Sequence, residues 1–158
     1  MPPSRGDTPM LSRSGFTVTE LIIAIVIVGL VSAFAIPKVK SGMAAERLRS
    51  ARRSVTTHLA TTRGTASGRG CRSVMHIRGG ANARLWVTSC TVGGGGVDTI
   101  GSVENLSDRY GVTLTTTGDS VIFNSNGLGR SPGWITLNFS KSGRSDTLGI
   151  SPVGLPAW

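Results

Sequence analysis

The chain has 158 residues, with 22 glycines, 5% aromatic residues and a formal charge of +9. That length suits one domain, and many glycines between short apolar runs argue for a loop-rich β domain and against a helical bundle. Two cysteines are far too few for a disulfide scaffold, and the positive surplus favours acidic partners: nucleic acid, anionic lipid or acidic protein faces.

Residues 1–15 are polar, with Pro2, Pro3 and Pro9, and read as a disposable leader; Met10 is an alternative start. Their loss removes Arg5, Arg13 and Asp7, lowering the formal charge by one. From Phe16 to Ile36 the chain is apolar apart from a few hydroxyls and Glu20. As a helix this run is about 32 Å long, at roughly 1.5 Å per residue, enough to cross a bilayer core of about 30 Å. A carboxylate opposes insertion by roughly 2.5–3.5 kcal/mol. Glu20 is therefore either close enough to the helix end to reach headgroups or a charge awaiting a positive partner on another chain.

Pro37 lies inside the helical pattern and predicts a kink, because it removes one backbone donor and crowds the preceding turn. Beyond it, Val39, Met43, Leu48, Ala51, Val55 and Leu59 recur as one apolar stripe of an amphipathic helix over 38–64. Glu46 stands three residues before Arg49, in reach of a helix-surface ion pair. The accumulation of Thr, Gly and Ser predicts the helix end near residues 62–64. The span 65–158 reads as a β-rich globular domain. Its first hairpin has strands at 73–77 and 84–92 joined across Gly79, Gly80 and Asn82. Antiparallel pairing of these strands brings Cys71 and Cys90 together for a disulfide, closing a loop of about 20 residues worth roughly 3 kcal/mol. Two buried free thiols are the alternative. Residues 93–96 are a glycine turn without the following Lys of a phosphate loop. The runs 112–116 and 120–124, flanking Gly118 and Asp119, read as a second hairpin. The run 134–140 alternates most cleanly; Lys141 to Arg144 turns the chain, 147–151 is a last strand, and 152–158 a tail.

Little here carries chemistry. His58 and His76 are not patterned with acids, Cys71 and Cys90 are not a CxxC pair, and no nucleophile-elbow sequence occurs. Asp98 and Asp108 lack the spacing of a calcium loop. The expectation is a non-enzyme with no cofactor and no metal.

Gly15-Phe16-Thr17-Val18-Thr19-Glu20-Leu21, followed by an unbroken apolar run, resembles the class III signal of type IV pilins and type II secretion pseudopilins. Pro37 matches the family's usual kink position. The resemblance implies cleavage after Gly15 by an inner-membrane prepilin peptidase, which also N-methylates Phe16. It implies that Glu20 meets the terminal amine of a neighbouring subunit during assembly with other pseudopilins or pilins. Lys38, Lys40, Arg47, Arg49, Arg52 and Arg53 outnumber Arg5 and Arg13, so the positive-inside rule alone would keep the C-terminal domain in the cytoplasm. The resemblance reverses this, since the family's peptidase works at the cytoplasmic face; the domain is then periplasmic, on a single-pass helix in inner-membrane lipid.

The layout of one long helix before short antiparallel strands resembles the GspH/FimT group, minor pseudopilins of type II secretion and minor type IV pilins. The fold expected is α+β, a helix with a transmembrane first half and an amphipathic second half packed on a small antiparallel sheet or sandwich. Between the two machines the first expectation is the type II secretion pseudopilus. The alternative is a minor pilin of the FimT kind that binds DNA for natural transformation through a C-terminal Gly-Arg-x-Arg signature. Here Gly143-Arg144-Ser145-Asp146 departs from that signature by an acid. Arg130, Lys141 and Arg144 remain as candidate phosphate contacts, with Arg63, Arg69 and Arg72 as a second basic set.

Overall fold

A hydroxyl starts the long helix. Thr17 Oγ1 accepts from the Glu20 backbone N–H at 3.2 Å, and the Thr17 carbonyl accepts from Leu21 N–H at 3.2 Å. Thr17 is thus the cap, and Glu20 stands at the third helical position, the spacing of a capping box. In this computed structural model, which describes residues 15–93 and 95–157, helix α1 spans Val18–Arg69 and continues through Pro37. Gly15 is the one leader residue within the described range. The chain divides into two units, Met1–Val39 and Lys40–Trp158.

In the second unit, α1 buries Ala44, Leu48, Ala51, Val55, Leu59, Thr62 and Ala66, three or four residues apart on one face. The expected stripe is therefore correct from Leu48 to Leu59 but not earlier, since Met43 is exposed and Ala44 takes the buried position. The helix also outlasts its expected end by five residues. Burial of Thr62 and Ala66 outweighs the weak propensity of the Gly and Ser around them. It stops at Gly70, left-handed at φ 62°, where Cys71 N–H donates back to the Ala66 carbonyl at 3.2 Å. That bond is the six-to-one link of a Schellman cap.

The strands that follow are β1 (Ser73–Arg78), β2 (Arg84–Cys90), β3 (Val97–Asn105), β4 (Thr113–Thr116), β5 (Ser120–Phe123), β6 (Ile135–Lys141), β7 (Arg144–Ile150) and β8 (Pro156–Ala157), with the short helix α2 (Leu106–Tyr110) after β3. They form two antiparallel sheets, ordered β3-β2-β1-β5 and β4-β6-β7-β8. Inward residues of both sheets, among them Met75, Leu85, Phe123, Leu137, Phe139 and Leu148, join Leu48, Val55 and Leu59 of α1 in one core.

The first hairpin pairs antiparallel as expected, with Ser73 opposite Ser89 and Arg78 opposite Arg84. Cys71 and Cys90 form a disulfide, with their Cα atoms 6.3 Å apart. The turn from β6 to β7 is tighter than the four residues expected. Ser142 and Gly143 both have positive φ, 51° and 75°, which gives the two-residue type I′ hairpin.

The second expected hairpin does not exist. β4 pairs with β6 and β5 with β1, so Thr117, Gly118 and Asp119 carry the chain from one sheet to the other. Thr117 fixes this crossing by exchanging hydrogen bonds with Thr136: its N–H donates to the Thr136 carbonyl, and its hydroxyl accepts from Thr136 N–H. Gly118 packs closely there: a Cβ would sit 3.0 Å from the Ile135 side chain, which would have to shift by a few tenths of an ångström. Two further strands, and α2 between them, lay outside the sequence reading. β3 is an edge strand exposed on both faces, and so lacks alternation; it carries two extra residues against β2 between Leu85 and Val87. β8 falls in the expected tail.

Candidate functional site

Among the described residues of the Met1–Val39 unit, the start of α1 presents an exposed apolar surface. Phe16 is 86% exposed, and the large apolar side chains from Val18 to Ile36 are all more than half exposed. Glu20 is the sole acid between Gly15 and Ala45, and it is exposed. This stretch of α1 is long and apolar enough to cross a membrane. Gly15, Phe16 and Glu20 lie within six residues at its start.

The second unit carries a polar cluster around Glu104, whose side chain is 12% exposed. Ser54 Oγ donates to Glu104 Oε2 at 2.6 Å. On the other oxygen, Oε1, Arg109 donates at 3.0 Å and the Tyr110 hydroxyl at 3.2 Å. His58 Nδ1 lies 3.5 Å from Glu104 Oε2 and 3.0 Å from the Ser54 carbonyl. Burial first, then the Glu104 charge, push the Tyr110 hydroxyl above its ordinary range. The cluster fastens β3 and α2 to α1 beside a groove of about 570 Å³. Ser54 donates directly to the carboxylate, and the His58 imidazole is not interposed between them. Glu104 belongs to no motif in the sequence. Its signal was Ser54 and His58, four residues apart and therefore on one helix face.

Lys141 and Arg144 stand opposite each other across the β6–β7 turn. Lys141 Nζ donates to the carbonyls of Tyr110 and Gly111 at 2.7 and 2.9 Å, completing the end of α2. Asp146, the acid that interrupts the expected signature, pairs with Arg52 at 3.1 Å. Arg130 is not with these two; it lines a separate hollow with Arg72 and Asn124. Arg69 pairs with Asp98 at 3.6 Å. Glu46 and Arg49 meet at 3.9 Å, both more than half exposed. Among the described residues no three of His, Cys, Asp and Glu are grouped to hold a metal ion.

His76 stacks on Trp86 with ring centroids 5.0 Å apart, and its Nε2 lies 2.9 Å from Thr88 Oγ1. Burial lowers its pKa below the ordinary 6.5, against an opposing pull from Asp119. Folded, this base holds its proton less readily than unfolded. Its contribution to stability is complete above 6.5 and is lost as pH falls through the folded value. His76→Phe keeps a ring against Trp86 and should flatten the fall in denaturant midpoint between pH 7 and pH 5. Parallel falls in variant and wild type would reject this.

A long helix, apolar and exposed in the first unit and packed on small antiparallel sheets in the second, defines the type IV pilin fold. Among solved structures the chain is similar to the type IV minor pilin FimU of Pseudomonas aeruginosa strain PAO1 in two crystal forms. The TM-scores are 0.56 and 0.52, each at 16% identity, covering 72% and 70% of this chain and 88% and 90% of FimU. No protein-family model matches the chain, and no curated protein matches it in sequence.

Proposed function

We propose that this chain is a non-enzymatic minor subunit of a type IV filament, of the GspH/FimT kind, assembled through its N-terminal helix. The observation that carries the reading is the exposed apolar start of α1, with Glu20 as its sole acid. Such a surface is stable only in lipid or against other helices like itself. A prepilin peptidase removes the leader after Gly15 and methylates the new amine of Phe16. The helix then holds the protein in the inner membrane, with the disulfide-bonded unit in the periplasm, where such bonds persist. From there it moves into the filament beside other pilins or pseudopilins.

The likeness to a minor pilin supports a pilin-like structural role, and the same helix would serve either a pilus or the type II secretion pseudopilus. DNA capture has less support, because Lys141 is engaged on backbone carbonyls, Asp146 is held by Arg52, and Arg130 lines another hollow. The test is intact-mass and N-terminal analysis of protein from native-host filaments. The chain should begin at N-methylated Phe16; a chain beginning at Met1 or Met10 would refute the reading. Deleting the gene should then abolish either piliation or secretion, which identifies the machine.

A further inference from the structure

The outward face of the β3-β2-β1-β5 sheet has the makings of an interface. On β1, Val74, His76 and Arg78 point away from the core, while Ser73, Met75 and Ile77 are buried. β2 alternates likewise, turning Arg84, Trp86 and Thr88 outward. The register sets these side chains in rungs: Val74 lies between Thr88 and Ile122, His76 faces Trp86, and Arg78 faces Arg84. The middle of the face is therefore aliphatic and aromatic.

Its ends are basic. Like charges directly opposite each other destabilise a strand pair, and Arg78 and Arg84 are such a pair. Both are exposed, and neither side chain has a hydrogen bond or ion pair among the described residues. At the other end Arg72 and Arg130 line one hollow with Ile122, again without an acid partner among the described residues. Arg72 and Arg78 are six residues apart on one strand line, about 20 Å at roughly 3.4 Å per residue. Asp119, the acid bordering the face, accepts from the Ser120 hydroxyl.

We propose that this face docks an acidic protein surface, whose carboxylates meet the two arginine pairs while an apolar patch covers Val74, Trp86 and Ile122. Arginine and tryptophan are the side chains that dominate protein interfaces, and an apolar centre with a polar rim is their usual plan. A nucleic acid would find cations only at the two ends of this face, about 20 Å apart, with Val74 and Ile122 unused between them. A second copy would set arginine against arginine, on a chain of formal charge +9. The filament reading enters only as the partner's address: a different, acidic subunit of the same filament.

The experiment places a photo-crosslinking amino acid at Thr99, exposed and opposite Thr88, in the full chain in its native host. A control carries it at Thr136, exposed on the other sheet. Light should join the Thr99 variant, and not the control, to one acidic protein identified by mass spectrometry. Arg78→Glu with Arg84→Glu should lower the adduct at least tenfold, as should Arg72→Glu with Arg130→Glu, both without change in melting temperature. Lysine for glutamate in the partner should restore it. No adduct, an adduct of two copies, a nuclease-sensitive adduct, or one indifferent to both charge reversals would overturn the proposal. An intact adduct from a chain not processed at Phe16 would overturn the filament reading alone.

Discussion

Glu20→Val should leave the chain cut after Gly15 and methylated at Phe16, yet lower its incorporation into filaments about 100-fold. The figure follows from the roughly 2.5–3.5 kcal/mol that a carboxylate costs in lipid, at about 1.4 kcal/mol per tenfold. On the proposed reading the wild-type side chain bears that cost in the membrane, and an amine on a neighbouring helix would remove it. Valine carries no such cost and so gains nothing by leaving the lipid. The backbone argument is separate: Thr17 caps the helix through the Glu20 N–H, which valine retains. Helix formation should therefore be unchanged, and the loss specific to assembly. Gly15→Val serves as the contrast, stopping one step earlier with the leader uncut. Quantitative immunoblots of sheared filaments against total membranes read both. Wild-type levels of the Glu20 variant in filaments would remove the carboxylate from the mechanism.

The second large effect belongs to the sulfur bridge. Cys71→Ser with Cys90→Ser should cost about 3 kcal/mol, the chain-entropy value for a loop of this length. The melting temperature should fall by about 10 °C, since a domain of this size loses roughly 3–5 °C per kcal/mol. Serine isolates the covalent link from polarity, because Cys71 Sγ already lies 3.4 Å from the Ser89 hydroxyl, itself bonded to Ser73 at 2.7 Å. Reduced wild type should melt with the double variant. Equal melting of oxidised and reduced protein would show that the bridge adds nothing to stability.

Much of this fold was legible where local pattern and burial coincide. The β1–β2 hairpin and β6 alternate because each has one buried face, and the same pairing put Cys71 beside Cys90. What failed was the choice of partner. The turn at Gly118 was readable, but β4 and β5 diverge there because Leu114 belongs beside Phe139 and Val121 beside Met75, a decision made by the core. The extent of α1 failed for a like reason: Ala66 looks neutral in sequence and is fully buried. Helix α2 was missed although its signals are local. Asn105 caps it by accepting from Asp108 N–H, and Gly111 ends it in the left-handed region. Of the candidate site, the exposed helix was legible because a membrane segment is read from composition alone. The arginine face was not, since it depends on the register between strands, and the Glu104 cluster was not, since it depends on how β3 and α2 pack on α1.

The position of the bridge has a mechanical consequence. A pull along α1 passes through Gly70 to Cys71 and forks there, along the chain into β1 and through sulfur into β2. Those strands are the central pair of their sheet. Traction is thus handed to both at once and spreads outward to β5 and β3, so the helix cannot be drawn away from β2 by shearing weak contacts one at a time.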